Sequence, residues 1–321
     1  MNASLLARKY RGAIIQSRTS PISRSAVLLT LGLATIALVA SIATKFTFAS
    51  LPNIMPLVVG VAILDVLTRL LPQTRFVEAI QTILYGVLYL VITILCGIVA
   101  AYAMQRFAFP LQDQLLAKID MALGLTWLDY ATWVERHDQI QRVFRFAYDT
   151  IQVQIALPLV VLAFSKQQSE VRAYLLAFTI AFIVTIVISA LMPAAGPIGF
   201  VDRAGFTLLQ FTGATPVDHL MRLREAGPLI LTEPPGGIAT FPSFHATIAI
   251  LTPLTLRHHP RIVVGLLVLN AAMLGGTVTE GAHYFIDVLA GICMAFFAYF
   301  LAGRIIRLED RPPALLATAA P

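Results

Sequence analysis

Two short stretches of this 321-residue chain gather the residue types that handle phosphate and protons. In "TFPSFHATIAIL", residues 240–251, Ser243 and His245 stand at the mouth of an apolar run. Pro242 suits a first helical turn and Ser243 suits a cap. The first N–H groups of a helix have no intrahelical partner, and the helix dipole adds partial positive charge there. Such an end binds anions, phosphate in particular, and His245 projects from the same turn. In "TEGAHYFIDVLAG", residues 279–291, His283 and Asp287 are spaced to share one face of a helix. A carboxylate so placed holds one ring nitrogen and raises the basicity of the other, the orienting role found in nucleophilic triads. Two histidines and an aspartate meeting at one surface is the observation to explain.

The elements that must position these groups are membrane helices. The chain is 58% hydrophobic and 12% charged, against roughly 25% charged in soluble domains. Apolar runs predict an all-α fold, a polytopic bundle of about eight spans, at 26–49, 54–72, 77–104, 147–165, 172–192, 243–257, 262–279 and 283–303. Arg8, Lys9, Arg11, Arg18 and Arg24 precede the first run, which reads as an uncleaved signal anchor. Basic residues recur at alternate turns: Arg69 and Arg75, Lys166 and Arg172, "RHHPR" at 257–261, and "RIIRLEDR" at 304–311. By the positive-inside rule these ends are cytoplasmic, so segments 105–146 and 193–242 face outward. Trp127, Tyr130 and Trp133 in the first segment suit a helix at the interface. The expected division is a basic cytoplasmic N-terminus (1–25), two N-terminal spans (26–74), a membrane-embedded catalytic core (75–305) and a cytoplasmic tail (306–321). The tail "PPALLATAAP" reads as disordered.

The net charge of +6 follows from these helix-end cations, not from a nucleic-acid surface. Cys96 and Cys293 lie in apolar runs and read as small hydrophobes. Asp65 and Arg69 read as a structural ion pair, and Asn270 as a hydrogen bond between helices. Glu280 is either an acid–base residue or a solvated loop carboxylate. The prolines and glycines of "LMPAAGPIGF" (191–200) end the fifth span or shape the roof of a pocket. His245, His283 and Asp287 also match a two-histidine, one-carboxylate metal set, but no HExxH is present and phosphoryl transfer fits the phosphate-type helix end better. A transporter is the non-enzymatic alternative; against it, the polar residues gather at one surface and no internal repeat is visible.

"FPSFHA" with "GAHYFIDVLAG" resembles the second and third signature motifs of the type 2 phosphatidic acid phosphatase superfamily, most closely the branch that includes inositol phosphorylceramide synthases. The second motif, PSGH, falls on Pro242, Ser243 and His245, with Phe244 at the glycine position. The third, SRxxxxxHxxxD, falls on His283 and Asp287, with Gly276 and Thr277 where the family has serine and arginine. The first motif, KxxxxxxRP, is absent; "KQQSEVR" (166–172) has different spacing. The resemblance implies a six-helix phosphatase-like core and a membrane phosphatase or phosphotransferase acting on a lipid phosphate or phospholipid among membrane lipids. In it His283 attacks phosphorus, Asp287 orients His283, His245 protonates the leaving oxygen, and Ser243 lies at the phosphate. It implies no metal and no cofactor. A substitute for the missing arginine is expected among Arg203, His219, Arg222 and Arg224, with Arg224 favoured. The expected location is the inner (plasma) membrane, with the site facing the periplasm or a lumen.

Overall fold

The computed structural model describes residues 20–49, 55–199, 214–233 and 235–311. Arg8, Lys9, Arg11, Arg18, Arg203 and the tail from 312 onward lie outside the described residues. In chain order the helices are α1 (Arg24–Thr44), α2 (Met55–Leu70), α3 (Arg75–Gln105), α4 (Asp113–Ala122), α5 (Trp127–Glu135) and α6 (Asp138–Asp149). They continue as α7 (Ile151–Phe164), α8 (Gln168–Leu191), α9 (Ala214–Leu223), α10 (Phe244–Thr255), α11 (Pro260–Glu280) and α12 (Phe285–Glu309). Helices α1, α3, α8, α11 and α12 are each long and apolar enough to cross a bilayer. Helices α6 and α7, bent by 49° at Thr150, are together long and apolar enough for a broken span or a re-entrant loop. Helix α2 has 16 residues and α10 has 12. The chain is an all-α, polytopic integral membrane protein, with helices where each of the eight spans was expected.

Helix α8 is apolar all round, and such a helix is enclosed by its neighbours. Leu175, Leu176, Phe178 and Ala181 have no exposed surface, and α8 packs on α3, α10 and α12. Polar side chains join helices where lipid offers no partner. Tyr89 Oη lies 2.6 Å from Thr179 Oγ1 and 2.9 Å from Thr30 Oγ1, and Asn270 Nδ2 donates to the Ala249 carbonyl at 2.5 Å. Arg69 pairs with Asp65 at 2.9 Å. One end of the bundle is tied by charge: Arg172 donates to Glu309 at 2.9 Å and also to Asp310, Arg257 meets Glu170 at 2.7 Å, and Ser25 N donates to Glu309 at 2.9 Å.

Two segments depart from expectation. The first span stops at Thr44, short of residue 49, because Lys45 takes a left-handed conformation (φ 52°) and its N–H closes on the Ile42 carbonyl. The aromatic residues that follow form strand β1 (Phe46–Phe48), which pairs in parallel with β2 (Leu229–Leu231). The segment 105–146 is three short helices, not one interfacial helix. Trp127 is buried, its Nε1 donating to the Val278 carbonyl at 2.8 Å, and Tyr130 Oη donates to the Gly275 carbonyl at 3.1 Å. These rings fasten α5 to α11; Trp133 alone of the three is exposed.

Candidate active site

Ser243 is the N-cap of α10, and its Oγ accepts from Ala246 N at 3.4 Å. Pro242 stands before the cap, outside the first turn where it was expected. The second motif is also displaced from its expected helix. Tyr284 caps α12, so His283 precedes the helix and shares no helical face with Asp287. A left-handed Ala282 (φ 51°) turns the chain at this point. Gly196 (φ 79°) packs against that turn, and a Cβ there would lie 2.4 Å from the Ala282 carbonyl oxygen. The "PAAG" of 193–196 therefore walls the histidine turn.

The turn delivers the imidazole to both partners at once. His283 Nδ1 is 3.2 Å from Asp287 Oδ2, and the same oxygen accepts from Tyr284 N at 2.9 Å. This contact places the ring proton on Nδ1 and leaves Nε2 with its lone pair. Nε2 is 3.4 Å from Ser243 Oγ. Ser243 N donates to the Asp287 carbonyl at 3.0 Å, so backbone as well as side chains joins the two helix starts. Ser243 and Asp287 have no exposed surface, and His283 is 5% exposed.

The helices approach closely because of Gly291. A Cβ at that position would lie 2.3 Å from the Ser243 carbonyl oxygen, and Thr247 Oγ1 donates to the Gly291 carbonyl at 3.0 Å. Gly291→Ala is expected to push α10 off α12 and cost about 1–3 kcal/mol of stability, the usual range for overpacking. Detergent-resistance melts and turnover measured side by side should both fall; an unchanged melt and full activity would show that the crossing yields.

His245 and His283 line one cavity of about 660 Å³ together with Arg145, Tyr148, Glu280 and Thr240. The His245 ring stacks on Tyr148, centroids 3.8 Å apart and planes within 11°. Arg145, from α6, donates Nε to Glu280 Oε2 at 3.2 Å. Glu280 is the last residue of α11 and its side chain is 3% exposed, so the solvated-loop alternative is set aside. A family model for the PAP2 superfamily matches residues 114–301, more than half of the chain. The chain belongs to the PAP2 superfamily. No curated protein and no solved structure matches.

PAP2 membership supports phosphatase or phosphotransferase activity on lipid phosphates. The matched region runs from α4 into α12 and contains every candidate side chain named above for the cavity. The cations expected to serve a PAP2 phosphate site lie elsewhere. Arg222 pairs with Glu233 at 2.7 Å, and Arg224 donates to the Ala108 carbonyl at 3.3 Å. His219 is buried with Nδ1 3.1 Å from Tyr102 Oη, and burial lowers its pKa. None of the three lines the cavity; Arg203 is outside the described residues. Among the described residues Arg145 is the arginine that does, and no motif in the sequence marks it. Its signal was an arginine just before the fourth expected span, at the same end as both motifs. Among the described residues, no three His, Cys, Asp or Glu side chains converge as metal ligands.

Proposed function

We propose that this protein is a lipid phosphate phosphatase or phosphotransferase that works through a phosphohistidine at the outer membrane face. The observation that carries the reading is the Ser243–His283–Asp287 relay opening on a cavity shared with His245 and Arg145. His283 Nε2 attacks phosphorus as the bond to the lipid oxygen breaks, and that oxygen takes its proton from His245. Asp287 holds the Nδ1 proton throughout and stabilises the charged ring. Arg145 and the α10 first turn face the phosphoryl oxygens, where fixed positive charge is most effective. Water or an alcohol then attacks phosphorus, gives its proton to His245, and releases His283 as the P–N bond breaks. The test is rapid acid-free quenching with a phosphate-labelled lipid, followed by mapping of the label. An acid-labile phosphate on His283 supports the enzyme; turnover without any labelled histidine rejects this route, and absence of both favours the transporter.

Transfer of a phospho-head-group between lipids, as in the inositol phosphorylceramide synthase branch, is the second reading. It is supported by the polar wall of Glu280, Asp149 and Gln152 beside Arg145, since hydrolysis needs room only for water. Because the groups are assigned as nucleophile, acid and orienter, EDTA is expected to leave activity intact. Vanadate, which mimics five-coordinate phosphorus, is expected to inhibit. Loss in EDTA with rescue by zinc would support the metal alternative.

The outward assignment rests on the basic helix ends. Thr212, within the segment 193–242 expected to face outward, is outside the described residues. Ala226 is exposed in the same segment and Arg261 at the opposite end. In a variant with Cys96 and Cys293 replaced, Ala226→Cys is expected to react with an impermeant maleimide added to intact cells, and Arg261→Cys only after permeabilisation. The reverse pattern inverts the topology.

A further inference from the structure

Two carboxylates outside the cavity hold the histidine turn and the wall beside it. Asp113 and Asp120 lie on α4 two turns apart, and they are 3% and 2% exposed. Asp120 accepts from Phe285 N at 2.7 Å through Oδ2 and from Ile286 N at 2.9 Å through Oδ1. Asp113 accepts from Ala195 N at 3.1 Å, from Gly196 N at 2.8 Å, and from Tyr284 Oη at 3.1 Å. With Tyr284 N already held by Asp287, three successive amides, 284 to 286, end on carboxylates. The first turn of α12 is therefore occupied by side-chain acceptors, whereas Phe244 and His245 at the α10 start line the cavity. The same α4 face fixes both the turn that carries His283 and the 194–196 wall that Gly196 presses against it. Burial raises both carboxyls above the usual carboxylate range, and the N–H donors oppose that rise.

We infer that Asp113 and Asp120 are positioning residues that set the angle of the His283–Asp287 couple, an inference that rests on His283 being the nucleophile. Neither residue lines the cavity, so any effect on chemistry passes through the turn. A carboxylate that takes two adjacent N–H groups, one on each oxygen, fixes the rotation of a helix start as well as its position. Displacing a nucleophile by an ångström costs about 10²-fold. An uncharged Asn at position 120 keeps one acceptor and turns an NH₂ toward the second amide.

Asp120→Asn is expected to slow phosphohistidine formation and kcat by about 10- to 100-fold, with KM for the lipid phosphate within about twofold. The deciding measurement is a double-mutant cycle with Asp287→Asn. If Asp120 acts through the couple, adding Asp120→Asn to Asp287→Asn costs less than about threefold further. Full additivity, or a change confined to KM or thermal stability, overturns the inference. Tyr284→Phe, which deletes only the hydroxyl given to Asp113, covers the case in which Asp120→Asn does not fold. It is expected to lower kcat several-fold, and the loss should vanish in an Asp113→Asn background. A wild-type protein that traps no phosphate on His283 refutes the nucleophile assignment. Normal trapping in both variants refutes the positioning role alone.

Discussion

His283→Ala is expected to leave no covalent phosphate on the protein and to reduce turnover to the background of the assay. In the proposed mechanism the imidazole makes the bond to phosphorus, and among the described residues no other side chain of the cavity stands where His283 Nε2 does, 3.4 Å from the α10 cap. The two companion substitutions should differ in kind. His245→Ala removes a proton donor, so its cost, about 10²–10⁴-fold for a general acid, should appear with a poor leaving group and shrink with nitrophenyl phosphate. Asp287→Asn keeps the shape but loses the charge that selects the Nδ1–H tautomer, so rate should fall heavily without loss of folding. Phosphoenzyme accumulating in His283→Ala, or an equal loss on both substrates in His245→Ala, defeats the assignment.

Arg145→Ala is expected to have the next largest effect, about 10²–10³-fold in kcat/KM, the scale for removing one donor to a developing oxyanion. Arg224→Ala is expected to stay within about threefold, as its guanidinium is engaged by the Ala108 carbonyl. Removing Arg145 also strands Glu280, whose Oε2 is its partner and whose side chain is almost wholly buried. An uncompensated buried charge is strongly destabilising, so Arg145→Ala should be made alone and with Glu280→Gln. The double variant should regain thermal stability without regaining activity. Recovered activity would mean that Arg145 only neutralises Glu280. A greater loss in Arg224→Ala than in Arg145→Ala would return the phosphate site to the outer loop.

The helices and the histidines were legible because each leaves a local mark. Apolar runs announce membrane segments, and Ser243, His245, His283 and Asp287 fall within short motifs. A helix stands at each expected span even where α7 and α10 are short, since hydropathy does not depend on tertiary contacts. Arg145 and Glu280 were not legible in the same way. They meet only because the α6–α7 bend carries α6 beside the end of α11, and such a bend has no simple sequence signature. Asp113 and Asp120 look like polar residues of a surface helix, yet both point at amides some 80 to 170 positions away. The displacement of His283 from its helix was hidden for a similar reason. A left-handed alanine at 282 is disfavoured locally and is held by its packing on Gly196.

The charged fastening between Ser25 and Glu309 spans 284 positions, which sets an order of events during synthesis. Helix α1 can meet α3 as soon as both are in the bilayer, through Thr30 and Tyr89. Its bonds to Glu309 must wait until α12 has been made and inserted, and α12 also carries Asp287 and the turn beside His283. A nascent chain that has passed residue 245 and not yet reached 283 therefore holds Arg145 and His245 without His283 and Asp287. Under the proposed mechanism the site is complete only once the last helix, which the Ser25–Glu309 contact joins to the first long one, is in place.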